Sequence, residues 1–167
     1  GTHAEVVQGL RGAYEKWWGD VSQRFDEYCE VVIGSDHENP SRLTCHDWHE
    51  VDLPPWNQTH VLQGIEGSGF WAIEIAHAGE YEFALCRWPR EVAQPINAAV
   101  AGGRAIRATK ARLRIGDVDL DKVVAADARE VVFRISLQPG KVRLQTWFTD
   151  EEGASRGAYY VYAARVS

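Results

Sequence analysis

The chain has 167 residues, 45% of them hydrophobic and 25% charged, which suits one domain with a core large enough to fold without disulfide or metal staples. Eighteen basic against 24 acidic residues give a formal net charge of -6, so there is no general attraction to nucleic acid or to an anionic membrane surface. No apolar run approaches the roughly 20 residues needed to span a bilayer, and the N-terminal stretch lacks the layout of a signal peptide; the expectation is a soluble chain. It contains no methionine and opens Gly1-Thr2-His3, which reads as a piece of a longer protein. Its three cysteines, Cys29, Cys45 and Cys86, show no C-x-x-C spacing, so a zinc ribbon or disulfide framework is not expected, and at most one bridge could form.

From Ala4 to Val21, Val6, Leu10, Ala13 or Tyr14, Trp17 and Val21 recur every three to four residues, which predicts an amphipathic helix. Gly9 and Gly12 each weaken it by roughly 1 kcal/mol relative to alanine, so burial of its aromatic face is expected to hold it. Trp17 and Trp18 diverge by about 100 degrees around the axis, and both can be buried only in a groove or between two bodies.

Beyond Phe25 the period changes to two, and the remainder reads as β. Trp71, Ile73 and Ile75 alternate with smaller or polar neighbours, as do Tyr81, Phe83 and Leu85 across Ala78-Gly79-Glu80, which reads as a hairpin. Leu113 and Ile115, then Val131, Phe133, Ile135 and Leu137, then Val142, Leu144, Thr146 and Phe148 after a Pro139-Gly140 turn, continue the pattern, and Ala158 to Val166 makes a last, tyrosine-rich strand. Eight or nine half-buried strands need a second sheet to cover them. The predicted fold is mainly β, an antiparallel two-sheet sandwich of jelly-roll type preceded by one N-terminal amphipathic helix. Ala93 to Arg104 is the most loop-like stretch.

Candidate chemistry concentrates in Arg42-Leu43-Thr44-Cys45-His46-Asp47-Trp48-His49 and in Pro54-Pro55-Trp56-Asn57-Gln58. His46, Asp47 and His49 are metal-capable; Trp48 and Trp56 could stack on a sugar ring while Asp47, Asn57 and Gln58 hydrogen-bond its rim. The same residues also suit a packed structural loop. Trp147 shares an outer face with Arg143 and Gln145, open either to a sugar or to cover by the N-terminal helix. Arg87-Trp88-Pro89-Arg90-Glu91 sets two guanidinium groups around an indole, fit either for clamping a sulfate or carboxylate or for an arginine stacked on the tryptophan and paired with Glu91. Asp150-Glu151-Glu152 offers clustered oxygens without the spacing of an EF-hand loop. No G-x-S-x-G, H-E-x-x-H or G-x-x-x-x-G-K occurs, so catalysis has no positive signal.

Several of these segments together resemble the C-terminal extension of a group of bacterial arylsulfatases. They are His3-Ala4-Glu5-Val6-Val7 through Tyr14-Glu15-Lys16-Trp17-Trp18, Gly34-Ser35-Asp36 with Asn39-Pro40, His46-Asp47-Trp48-His49, Arg87-Trp88-Pro89-Arg90-Glu91, Arg143-Leu144-Gln145-Thr146-Trp147-Phe148 and Gly157-Ala158-Tyr159-Tyr160-Val161-Tyr162. The resemblance implies that residues 1–24 are the tail of an upstream catalytic region and residues 28–167 an accessory β-sandwich. In such enzymes the upstream domain hydrolyses sulfate esters with a formylglycine beside a calcium ion, made from a C/S-x-P-x-R motif. In Cys86-Arg87-Trp88-Pro89-Arg90 the proline comes one place too late, so neither nucleophile nor metal carries over: no catalytic residue, metal ligand or cofactor is expected in this chain. Gly69-Phe70-Trp71-Ala72-Ile73-Glu74 leading into Gly79-Glu80-Tyr81 is also similar to a strand pair of galactose-binding-like carbohydrate modules. The implied role is non-catalytic: holding a carbohydrate or sulfated glycan through His46, Asp47, Trp48, His49, Trp56, Asn57 and Arg90. The alternative is a structural domain buttressing the catalytic core or an oligomer interface. The implied partner is the upstream sulfatase catalytic domain, in a parent that is periplasmic or secreted.

Overall fold

A computed structural model of the chain describes residues 3–167. The N-terminal helix forms where the spacing places it, α1 at Ala4–Val21, and runs on through a 3-10 turn at Ser22–Arg24. Arg11 and Glu15, four residues apart, pair at 2.8 Å on its surface. None of its residues is buried, contrary to the expected burial of the aromatic face. Instead its aromatic side chains pack on one another along the helix: Tyr14 stacks on Trp18 at 6.1 Å, and Trp18 meets Phe25 edge-on at 5.4 Å. Local i, i+4 contacts of this kind are what a helix retains when no tertiary surface covers it.

The sandwich follows, in ten strands among the described residues: β1 Val31–Ile33, β2 Ser41–Thr44, β3 Phe70–Ile75, β4 Gly79–Cys86, β5 Lys110–Ile115, β6 Val118–Val123, β7 Val131–Leu137, β8 Gly140–Thr149, β9 Ser155–Arg156 and β10 Tyr160–Arg165. One sheet has the order β1-β3-β8-β5-β6, with the short β9 also paired to β8; the other has the order β2-β10-β4-β7. All pairings are antiparallel except β1 with β3, which is parallel. The alternation read from the sequence sets which side chains face inward. Leu113 and Ile115, Val131, Phe133 and Ile135, and Leu144, Thr146 and Phe148 are all buried between the sheets. Register then stacks like on like: Val161 lies between Leu43 and Leu85, and Phe83 faces Phe133.

Two local expectations are corrected. β3 and β4 do not form a hairpin. They belong to different sheets, and residues 76–78 carry the chain across the core. β3 buries five of its six residues and β4 five of its eight, and alternation alone does not say which neighbour a strand pairs with. The stretch after Phe25 is also not all β: a six-residue helix, α2, spans Gln58–Gln63. Asn57 Oδ1 accepts from the His60 backbone N–H at its start, and Gly64 closes its end in the left-handed conformation at φ 64°.

Strand direction gathers the long connections at one end of the sandwich. The C-terminal ends of β2, β4 and β8 and the N-terminal ends of β3, β5, β7 and β10 meet there, so the segments 45–69, 87–109, 124–130 and 150–159 lie side by side. The helix α2 sits among them. The remaining sheet faces are closed by neighbouring side chains rather than by α1: the Arg112 guanidinium covers Trp147 at 5.3 Å, and Tyr28, His49 and Arg143 surround Phe70. Among the described residues no helix is long and apolar enough to cross a membrane.

Candidate binding groove at the loop end of the sandwich

The 45–57 segment leaves β2 through a 3-10 turn at Cys45–Asp47 and reaches α2 by way of Pro54 and Pro55. It encloses a cleft of about 460 Å3 whose lining includes His46, Trp48, His49 and Trp56 together with Glu50 and Pro55. Four of the seven residues singled out in the sequence therefore share one concavity. Their roles in it differ. Trp56 is 76% exposed and stands on the rim, whereas Trp48 is 7% exposed and forms the floor.

The burial of Trp48 has a clear local cause. Its ring lies against the bare α-carbons of Gly69 and Gly157, where a side chain would collide with it, and it meets Trp71 edge-on at 5.6 Å and Tyr159 at 6.1 Å. Its indole Nε1–H is buried without a hydrogen-bond partner among the described residues. That is an unfavourable arrangement for a buried donor, offset by the packing of the ring. His49 is held by paired backbone bonds with Phe70, at 2.8 and 3.2 Å, and its ring packs 4.6 Å from Tyr28.

The other three predicted residues are engaged locally. Asp47 accepts from the Thr44 hydroxyl at 3.1 Å, and the Asn57 side chain caps α2. Arg90 lies in a different cleft, of about 440 Å3, beside Cys86, Trp88 and Glu130. There its Nε and Nη2 both donate to Glu130 Oε2, at 3.0 and 2.9 Å, and its guanidinium stacks on Tyr162 at 4.3 Å. A third cleft of about 390 Å3 stands between these two, sharing Cys45 and His46 with the first and Pro89 with the second. Trp56, His46, Gln58, Pro89 and Arg90 thus lie along one series of adjoining clefts. No group of three or more His, Cys, Asp or Glu side chains converges as a metal site among the described residues, and His46, Asp47 and His49 do not meet on one point.

All three cysteines are free thiols. Burial pushes the Cys45 thiol up to about 11 and that of Cys86 up to about 12, so both are protonated, unreactive core groups at neutral pH.

Sequence reasoning missed what anchors this end of the fold. Arg87, wholly buried, donates through Nη2 to the carbonyls of Arg104 at 2.6 Å, Leu62 at 3.0 Å and Val61 at 3.5 Å. Through Nη1 it donates to Ala98 at 3.2 Å and Ile96 at 3.5 Å. It also lies 4.2 Å over the Trp88 ring. One side chain thereby ties the end of α2 to the 96–104 segment. The available signal was a lone arginine inside the run Phe83-Ala84-Leu85-Cys86-Arg87-Trp88, where an exposed charge is out of place.

No family model matches the chain, and no curated protein matches it. Among solved structures it is similar to one described as a crystal structure of a ruminal GH26 endo-beta-1,4-mannanase, with a TM-score of 0.46 and 10% identity over 81% of this chain. The matched part is 27% of that chain, so this chain spans about a quarter of the mannanase's length.

Proposed function

We propose that the chain is a non-catalytic accessory domain of an arylsulfatase, a sulfuric ester hydrolase, and that the clefts around Trp56 hold a carbohydrate or the sugar part of a sulfated substrate. The observation that carries the reading is Trp56: a large indole, 76% exposed, on the rim of a cleft that also gathers His46 and His49. An exposed aromatic loses little entropy on binding, and the apolar face of a pyranose stacks on it while ring hydroxyls pair with imidazole nitrogens and the Glu50 carboxylate. The sulfatase part of the reading rests on the resemblance of the sequence segments, which assigns formylglycine and calcium to an upstream domain in an exported parent. The uncovered aromatic residues of α1, with Trp17 55% and Trp18 44% exposed, are the surface that such a domain would contact.

A second reading, a purely structural domain, draws support from Trp48, which is locked in the core, and from Arg90, which is paired with Glu130. Calorimetric titration of the chain with sulfated and unsulfated oligosaccharides separates the two. Trp56→Ala is the informative variant because its side chain contributes little to the core; Trp48→Ala would damage the fold. Binding that disappears in a folded Trp56→Ala chain supports the accessory binding domain. No heat with any sugar assigns the domain a structural role.

A further inference from the structure

At the C-terminal end of α2 lies a separate cleft of about 400 Å3, walled by Gln63 and Gly64, the 104–107 segment and the 150–156 hairpin. Its size falls within the roughly 300–1,000 Å3 typical of small-molecule sites. Arg156 lines it and is only 5% exposed. Among the described residues its guanidinium makes a single side-chain contact, Nη2 to Glu66 Oε1 at 3.5 Å, against about 2.7–2.9 Å for a well-formed charge-assisted bond. Its Nε is buried with no hydrogen-bond partner. The Glu66 side chain is 59% exposed, so water screens most of what it offers.

The charge behind this wall is also uncompensated. Arg87 is buried there with, among the described residues, only backbone carbonyls as hydrogen-bond partners, and burial pushes its guanidinium down to about 10, with the charge of Arg156 adding to the effect. Arg104 and Arg107 lie along the same cleft. Three acidic side chains share the lining, Glu66, Asp150 and Glu152; Asp150 Oδ1 accepts from the backbone N–H groups of Glu152 at 3.1 Å and Ala154 at 2.8 Å, and the Glu152 side chain is exposed to solvent, so the buried positive charge rests on Arg156 and on Arg87 behind it. Buried positive charge without adequate partners is unfavourable, and an incoming oxyanion relieves it.

We propose that this cleft binds an oxyanion, a carboxylate or sulfate group carried on a sugar-sized body, with Arg156 as its recognising group. Arg104 and Arg107 complete the charge complement from the rim, and Glu66 competes with the ligand for Arg156. The volume exceeds what a bare oxyanion fills, which favours a group attached to a larger molecule. The site does not depend on the reading of the Trp56 groove and shares no lining residue with it.

The test is titration calorimetry on the whole chain with glucuronate, glucose 6-sulfate, glucose and sodium sulfate at low ionic strength. The anionic sugars should bind at least about tenfold more tightly than glucose, and raising the salt should weaken them. Glu66→Gln removes an exposed competitor and should tighten anion binding by roughly three- to tenfold, a gain that misfolding does not produce. Arg156→Gln should abolish it; if that variant does not fold, Arg107→Gln, at an exposed position, should weaken binding by about two- to fivefold. Trp56→Ala should leave it unchanged. Free sulfate binding as tightly as the sugars would identify the ligand as a free oxyanion at the same site. Equal binding of glucose and glucuronate, or anion affinity unchanged or weakened by Glu66→Gln, would overturn the proposal.

Discussion

Replacing Arg87 with methionine, which keeps an unbranched stem but ends two atoms short of the guanidinium nitrogens and removes the charge, should be among the most damaging single changes in the protein. Three of its bonds, to Arg104, Leu62 and Ala98, lie between 2.6 and 3.2 Å. Hydrogen bonds to a charged donor contribute about 1.5–3 kcal/mol each, so the gross loss is about 5–9 kcal/mol. Against this stands the relief of no longer burying a guanidinium. Where such a charge is exchanged for an apolar group of similar shape, the balance is often neutral, but that holds when all partners become apolar. Here the carbonyls of Leu62, Ala98 and Arg104 stay in place and lose their donor, so a net loss of about 3–5 kcal/mol is expected. At about 2–4 °C per kcal/mol for a domain of this size, the midpoint should fall by about 6–20 °C. Arg87→Lys should recover only part of the loss, because one ammonium cannot reach carbonyls served by two separate guanidinium nitrogens. Urea unfolding and calorimetry of the three proteins measure this directly. A loss below about 1 kcal/mol for Arg87→Met would show that the carbonyl cluster is satisfied without the arginine and refute the anchoring argument.

Stability should also fall in alkali, with a sign fixed by the core thiols and Tyr159. Burial raises Cys45 to about 11 and Cys86 to about 12 and pushes the Tyr159 hydroxyl up as well. Below about pH 7.5 these groups hold their protons in both states; above about pH 8 the unfolded chain releases thiol protons, and above about pH 9.5 the tyrosine proton, that the folded chain keeps, so stability declines by up to about 1.4 kcal/mol per pH unit per group. Urea midpoints between pH 8.5 and 11 should slope downward, less steeply in Cys86→Ala, and a flat profile would contradict the burial assignment. Gly157→Ala places a methyl group into the Trp48 ring and should cost about 1–3 kcal/mol, part of it recovered when Trp48→Phe is added. Additive losses in the double variant would mean that the two residues do not press on each other.

The facing of the strands was legible because alternation is a property of each strand alone: Leu144, Thr146 and Phe148 point inward and Trp147 outward whatever lies beside them. Pairing was not legible. Residues 76–78 serve as well to cross between sheets as to turn a hairpin, and only the whole sandwich decides which. The helix α2 escaped because six residues are too few to display a period, although Asn57 and Gly64 bracket it with its start and stop signals. The helix α1 was read correctly as an element, but its aromatic periodicity predicted a burial that this chain does not supply.

At the site, residue type identified the region and remote glycines divided its labour. Trp48 and Trp56 look equivalent in sequence. Gly69 and Gly157, far along the chain, create the slot that takes Trp48 into the core, while Pro54 and Pro55 carry Trp56 outward at the start of α2. The chain entering α2 and the chain leaving it line clefts of different chemistry, aromatic and imidazole before the helix, guanidinium and carboxylate after it. The position of α2 depends on Arg87, whose bonds to Val61 and Leu62 hold the helix end while those to Ile96, Ala98 and Arg104 hold the segment across from it. An arginine that touches neither opening thus fixes the spacing of both. Its buried charge acts on Arg156 in the cleft lining, so the residue that makes the scaffold rigid also adds positive charge behind that guanidinium.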